Sequence, residues 1–229
     1  MKAHTKLVLR NLLSSIIVVL IMIVGFFSIT GIVFNIVYTT APIKSFSMCP
    51  TLNEDVPNAD TYGDYAYMNN FAIYTNNDIV IAKPSWNSDA VIKRLVGLPG
   101  DIVEIRDETT HYGLYVNNNL LYKKEKTDIG HKTELLGKGS NAYFEDYKEL
   151  LENDIVSTTT LPNGNKAILL GDDEYFIMGD NWGESKDCIT QGPVKKSEIV
   201  GKVDFVVKMN ENKFFAILKQ MIIIAFKFN

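Results

Sequence analysis

The longest uncharged stretch of the chain lies near its N-terminus, where residues 11–43 contain no Asp, Glu, Lys or Arg. A helix needs about 20 apolar residues to cross a bilayer core of roughly 30 Å, so residues 12–37 are long enough to span a membrane. A cleaved secretory signal has a shorter apolar core and a small-residue cleavage site, whereas this stretch carries the bulky Phe26, Phe27 and Phe34. The pattern predicts a retained transmembrane anchor over residues 12–38, preceded by a tail of residues 1–11.

After the anchor the pattern changes to short apolar runs bounded by turn residues, which is typical of β-structure. The turns include Pro99-Gly100-Asp101 and Pro162-Asn163-Gly164. Asn117-Asn118-Asn119 predicts a hairpin, because asparagine tolerates positive φ. Residues 39–212 are therefore expected to form one mainly β domain with its own core. The predicted strands are residues 65–68, 79–82, 91–96, 102–105, 114–116, 167–170, 175–178 and 203–208.

Two helices are predicted beyond the anchor. Residues 142–151 have the pattern of a short soluble helix. The apolar run of residues 214–226 is interrupted by Lys219 and Gln220 and is too short for a comfortable span. On a helical wheel its basic and apolar residues separate, which favours an interfacial helix over residues 213–229. A terminal helix packed on the domain fits the same pattern.

Charge and cysteine content limit the possible location and partners of the protein. Lys2, Lys6 and Arg10 precede the anchor, and basic residues beside a span usually stay in the cytoplasm, so the β domain is expected to be extracytoplasmic. The 23 basic and 27 acidic residues do not indicate a nucleic-acid partner. Cys49 and Cys188 lie in apolar surroundings, which favours free thiols over a disulfide bridge.

Candidate chemistry begins with Ser47, in the segment SFSMCPTL just after the anchor. A serine nucleophile needs a base, but His4, His111 and His131 have no supporting context. A neutral lysine can replace histidine, as in Ser-Lys hydrolases.

Lys93 is the candidate base. In a strand over residues 91–96 it shares one face with Val91 and Leu95, and an apolar face lowers the pKa of an amine by desolvation. The alternative is that Lys93 extends its amine into solvent as an ordinary strand lysine.

The segments around these two residues resemble the signature blocks of bacterial type I signal peptidases, also called leader peptidases. The blocks are SFSMCPTL, which ends at Leu52, and VIKRLVGLPGD, which ends at Asp101. Further blocks follow in the family's order: Tyr62-Gly63-Asp64-Tyr65, Asn77-Asp78-Ile79-Val80, Gly179-Asp180-Asn181 with Ser185 and Asp187, and Gly192-Pro193-Val194 before Ile199-Val200-Gly201-Lys202. The resemblance implies a signal-peptidase-like β-barrel or sheet catalytic domain after one N-terminal transmembrane helix.

The resemblance also implies roles for individual residues, and none of these roles needs a cofactor or a metal. Ser47 is the expected nucleophile and Lys93 the general base, with Ser45 in the oxyanion hole beside the Ser47 amide. Ser185 is expected to orient the Lys93 amine. Asp180 and Asp187 are expected to support the loops around it.

The family's substrates are exported preproteins with small residues at positions −1 and −3 of the signal peptide. Phe46, Met48 and Val91 are candidates to line the two shallow pockets, and each is equally explicable as a core residue. Membrane lipid is an expected partner, as is secretion or surface-assembly machinery.

Departures from the family pattern affect the later blocks. Trp182-Gly183 replaces an Arg-Asp pair, and Cys188-Ile189 replaces Ser-Arg, so Asp187 lacks its usual arginine. Asp187 is therefore expected to be exposed, to find another base, or to accept backbone amides. Phe46 replaces a small residue, which narrows the expected substrate range.

Two rival functions follow from these observations. One is a non-proteolytic or narrow-specificity surface-protein assembly factor on the same scaffold. The other is a self-cleaving Ser-Lys repressor, which the long anchor and the missing DNA-binding module disfavour.

Overall fold

A computed structural model describes residues 2–128, 139–153 and 155–227, so His131 lies outside the described residues. The chain divides into two compact units. One comprises Met1–Thr39 with Asn212–Asn229, and the other is Thr40–Glu211.

The first unit consists of two helices, α1 (Lys2–Val37) and α4 (Lys213–Lys227). Within α1, Lys6–Val37 is long and apolar enough to cross a membrane, and its apolar side chains are largely exposed. This confirms one N-terminal apolar helix that fits a single-pass anchor. Helix α4 packs on α1, where a Cβ added to Gly31 would lie 3.9 Å from Met221 Cε.

The second unit contains two antiparallel sheets, which confirms a mainly β domain. The seven-stranded sheet has the order β1-β2-β12-β3-β4-β10-β11. Its strands are β1 (Tyr38–Pro42), β2 (Tyr65–Asn69), β3 (Ile79–Ala82), β4 (Val91–Gly97), β10 (Glu174–Met178), β11 (Val194–Lys195) and β12 (Ile199–Val207). In this sheet β4 lies between β3 and β10, so both edges of its backbone are paired.

The five-stranded sheet has the order β7-β6-β5-β9-β8. Its strands are β5 (Ile102–Asp107), β6 (His111–Val116), β7 (Asn119–Glu125), β8 (Thr158–Thr160) and β9 (Lys166–Leu169). The predicted hairpin joins β6 to β7, with Asn117 and Asn118 at φ 50° and 67°. His111 is the first residue of β6.

Two short helices complete this unit, α2 (Gly139–Glu152) and α3 (Cys188–Gln191). Helix α2 confirms the helix predicted over residues 142–151. Its apolar face, with Tyr143, Tyr147 and Leu150, is buried in the main core together with residues of both sheets. Helix α2 packs against Trp182–Glu184, α3 and β9.

Candidate active site

Ser47 and Lys93 lie together although 46 residues separate them in the chain. Ser47 follows β1 in a turn, and Lys93 is the third residue of β4. The Lys93 Nζ and the Ser47 Oγ are 2.6 Å apart. Both side chains are buried, with exposed fractions of 4% for Lys93 and 6% for Ser47. This is the hydrogen-bond distance that a nucleophile and its general base require.

The environment of Lys93 follows from strand alternation. Lys93 is paired with Val80 of β3, and both Lys93 and Leu95 are buried, so the solvent-exposed alternative is wrong. Burial lowers the pKa of Lys93 from 10.5 to about 8, against the opposing effect of the Asp187 and Asp180 carboxylates. The neutral amine that proton abstraction needs is therefore a minor form at pH 7 and becomes the main form above about pH 8.

Ser45 lies beside the amide that the resemblance assigns to the oxyanion hole. The Ser47 N–H donates to Ser45 Oγ over 3.3 Å. Ser45 has a positive φ of 77°, and its position is held because its N–H donates to Ala59 O and its carbonyl accepts from Asn53 Nδ2. Strained backbone of this kind occurs where surrounding contacts enforce it. The geometry places the Ser47 amide and the Ser45 hydroxyl in contact with each other.

The turn of Gly179-Asp180-Asn181 holds the segment around Ser47. The Asn181 N–H donates to Ser47 O over 3.0 Å, and Asn181 Nδ2 donates to Phe46 O, also over 3.0 Å. Asp180 accepts two hydrogen bonds from the Arg94 guanidinium, at 2.8 and 2.5 Å. A bidentate arginine–carboxylate pair is geometrically specific, so it couples β4 to this turn.

Asp187 is fully buried and accepts two backbone amides, from Gly179 over 2.7 Å and from Ile189 over 3.1 Å. Of the three alternatives predicted for it, the structure therefore shows the third, and exposure is wrong. The Ser185 hydroxyl also donates to Asp187 Oδ2. Because that hydroxyl is directed to Asp187, the orienting role of Ser185 toward Lys93 stays a prediction.

Sequence reasoning missed one partner of this cluster, Tyr143 on α2. The Tyr143 hydroxyl lies 2.8 and 2.7 Å from the two oxygens of Asp187. No motif marks Tyr143, because 44 residues separate the two positions and only the packing of α2 joins them.

A groove of about 650 Å³ opens onto the Ser47–Lys93 pair. Its lining includes Ser45, Val91, Tyr62 and Trp86. The lining drawn from the described residues contains neither Phe46 nor Met48.

Phe46 and Met48 are instead buried among apolar side chains, at 2% and 1% exposure. For these two residues the interpretation as core fits the structure, whereas Val91 fits the pocket. The two cysteines are buried free thiols, as predicted.

A model of the family described as "Signal peptidase, peptidase S26" matches residues 10–208. Signal peptidase IB of Staphylococcus aureus is 29% identical over 188 residues, which cover 78% of this chain and 82% of the relative. Signal peptidase I of Bacillus licheniformis is 28% identical over 165 residues, covering 72% and 73%. A crystal structure of a signal peptidase I from Enterococcus faecalis is 25% identical, with a TM-score of 0.35, and covers 58% of this chain and 97% of that one.

The family match covers most of the chain and confirms the resemblance found in the sequence motifs. The relatives agree with it over more than two thirds of their own length. The chain therefore belongs to the peptidase S26 family of bacterial type I signal peptidases and is a serine endopeptidase that removes signal peptides from exported preproteins.

Proposed function

We propose that Ser47 and Lys93 form the catalytic dyad of this endopeptidase. The observation that carries the proposal is the 2.6 Å distance between Lys93 Nζ and Ser47 Oγ in a buried setting. The neutral Lys93 amine takes the Ser47 hydroxyl proton while Oγ bonds to the scissile carbonyl carbon. The carbonyl π-electron pair moves to its oxygen, which becomes a tetrahedral oxyanion.

The oxyanion accepts hydrogen bonds from the Ser47 N–H and the Ser45 hydroxyl, which must turn from their mutual contact toward it. When the intermediate collapses, the carbon–nitrogen bond breaks and the Lys93 ammonium protonates the leaving amine. The mature protein leaves with that amine, and the signal peptide remains as an ester on Ser47. A water molecule, deprotonated by Lys93, then hydrolyses the ester and restores both side chains.

The substrate class follows from the groove and the family. We expect the segment around the cleavage site to lie extended in the groove and to use backbone hydrogen bonds for affinity. Val91 beside Lys93 narrows the space next to the scissile bond, which suits small residues at −1 and −3.

A panel of exported preproteins tests the substrate proposal. The purified full-length protein in detergent should cleave preproteins with alanine at −1 and −3. Changing the −1 alanine to phenylalanine should abolish cleavage, because the bulky ring cannot enter the pocket. Gel analysis with mass determination of the products measures both results.

Equal cleavage of the alanine and phenylalanine substrates would contradict the proposed pocket. The number of preproteins cleaved reports whether the enzyme is general or, as Trp182 and Ile189 suggest, narrow in specificity.

We also propose that residues 12–38 anchor the protein, with residues 1–11 in the cytoplasm and the β domain outside. The apolar, exposed surface of Lys6–Val37 supports the anchor. Residues 213–229 are proposed to lie at the membrane interface, because Phe214 and Phe215 are exposed on α4 and α4 packs on the anchor helix. Apolar side chains in such a position contact lipid more favourably than water.

Labelling of single cysteines tests the orientation. A membrane-impermeant maleimide added to spheroplasts should modify Asn163→Cys, in an exposed turn, and should modify Lys6→Cys only after permeabilisation. The parent chain is the control, because its Cys49 and Cys188 are buried. Labelling of Lys6→Cys in intact spheroplasts would refute the orientation.

A further inference from the structure

Asp187 is an acidic side chain in an enclosed site. It has no exposed surface, and in the described part of the chain its hydrogen-bond donors are all neutral. Leaving a buried carboxylate without a partner is costly, so each donor contributes to holding it in one place. The donors are two backbone amides, the Ser185 hydroxyl and the Tyr143 hydroxyl.

Tyr143 differs from the other donors because it belongs to a distant element. Its hydroxyl reaches both Asp187 oxygens, at 2.8 and 2.7 Å, and its side chain is 1% exposed. The ring stacks on Trp182, with centroids 5.0 Å apart, and Trp182 is itself buried. Trp182 begins a short 3-10 helix between Asn181 and Ser185. The stacked rings of Tyr143 and Trp182 therefore pack α2 against the loop that carries Asn181 and Ser185.

The carboxylate that Tyr143 holds is linked to the nucleophile by close contacts. Asp187 Oδ2 accepts from the Gly179 amide and from Ser185. A Cβ added to Gly179 would lie 2.3 Å from Ser185 Oγ and 2.5 Å from Ser47 O, so these groups leave no space for adjustment. A displacement of Asp187 would therefore move Ser185 and Gly179, and Gly179 lies against Ser47.

We propose that Tyr143 is a positioning residue for catalysis, which acts through Asp187 to hold Ser185 and the Gly179 turn against Ser47 and Lys93. The inference rests on the proposed dyad. It assigns α2 a part in the active site, and it assigns Trp182 the role of holding the Tyr143 ring. A neutral donor fixes the carboxylate without cancelling its charge, and that charge remains to act on Lys93.

The charges that face Lys93 make this role measurable. They are the carboxylates of Asp187 and Asp180, whereas burial raises the pKa of the Cys188 thiol and keeps it uncharged. Asp180 forms an ion pair with Arg94. Glu184 and Lys186, which carry opposite charges, line the groove that opens onto Lys93. Burial raises the pKa of Asp187 and the Tyr143 hydrogen bond lowers it, so loss of that bond disfavours the charged carboxylate that attracts the Lys93 ammonium. The acid limb of the rate profile should then move to lower pH.

The experiment compares Tyr143→Phe with the wild type in full-length protein. We expect kcat to fall about 10- to 100-fold, which corresponds to loss of one hydrogen bond to a charged group. KM should stay unchanged, because Tyr143 does not line the groove. In the Ser185→Ala background the same substitution should cost less, because part of its effect passes through Ser185.

Tyr112→Phe is the matched control. Its hydroxyl donates to Asn141 Oδ1 of α2 over 2.8 Å and does not contact Asp187, so kcat and the acid limb should stay as in the wild type. An acid limb of Tyr143→Phe that is unchanged or moves upward would overturn the inference, as would an equal loss of kcat in Tyr112→Phe. Thermal unfolding of each variant separates misfolding from mispositioning.

Wild-type and Ser47→Ala measurements in the same assay separate this inference from the proposed dyad. An active wild type with an inactive Ser47→Ala, together with an unaffected Tyr143→Phe, would refute the role of Tyr143 alone. A Ser47→Ala protein that still cleaves would refute the dyad.

Discussion

Replacing Ser47 by alanine is expected to reduce kcat/KM for preprotein cleavage by at least about four orders of magnitude. The reason is that Ser47 Oγ supplies the bond to the scissile carbon, while binding and oxyanion stabilisation alone leave only a small residual rate. The fold should persist, since alanine removes one buried hydroxyl and its hydrogen bond to Lys93. Cleavage of a purified preprotein and thermal unfolding of the variant measure the two parts of this result.

Ser45→Ala is the graded control for that experiment. Its hydroxyl is proposed to donate only to the oxyanion, and such a donor typically contributes about 3 kcal/mol, or roughly a hundredfold in rate. The Ser47 amide, the second donor, remains in this variant. A Ser47→Ala enzyme as active as Ser45→Ala would show that Ser47 is not the nucleophile.

Replacing Lys93 by methionine is expected to abolish cleavage and, at pH 7, to stabilise the fold by about 2 to 3 kcal/mol. The pKa of Lys93 is about 8 in the folded chain against the ordinary value of 10.5. Below pH 8 the amine is charged in both states, so the folded protein bears the full cost of burying a charge. The lost hydrogen bond to Ser47 offsets part of the gain from removing that charge.

The size of the stabilisation by Lys93→Met depends on pH in a defined window. Between about pH 8 and 10.5 the unfolded chain binds more protons than the folded one, so the stability of the wild type rises. The advantage of Lys93→Met should therefore shrink through this window and vanish above it. Denaturant unfolding at pH 7, 9 and 11 measures the difference. Lys166→Met, at an exposed position of β9, should differ from the wild type by less than about 0.5 kcal/mol at each pH.

The rate profile of the wild type provides a second measurement on the same group. Cleavage should rise as Lys93 loses its proton, with a midpoint near pH 8. A stability difference that is constant across the window would contradict a buried lysine of lowered pKa. Activity that appears only above about pH 10 would contradict it as well.

Local pattern was sufficient for most of the fold. The run that became β3 is uniformly apolar, and those that became β4, β5 and β10 are rich in Val, Ile, Leu or aromatic residues, which is typical of buried strands. Strands β1, β8 and β11 were missed, because Tyr38–Pro42 and Thr158–Thr160 are largely polar or exposed and Val194–Lys195 is only two residues long. Such strands form by pairing with neighbours already in place, which a local pattern does not record.

Phe46 and Met48 show a second limit of local reasoning. They flank Ser47 in the motif, and sequence proximity placed them among the candidates for the substrate pocket. In the fold the turn after β1 directs both side chains into apolar clusters, so that Ser47 faces the groove between two buried neighbours. Side-chain direction in a turn depends on dihedral angles that adjacent residue types do not determine.

By itself, the sequence indicated an apolar N-terminal helix long enough to span a membrane and the β character of the rest, because hydrophobic periodicity is a local property of the chain. The pairing of Ser47 with Lys93 was implied by the resemblance of their motifs to a known family. The tertiary structure alone decided how deeply Lys93 is buried, and therefore its lowered pKa. It also decided that Tyr143 of α2, stacked on Trp182, holds Asp187. Desolvation and long-range hydrogen bonds depend on which distant elements pack together, and that packing exists only in the folded chain.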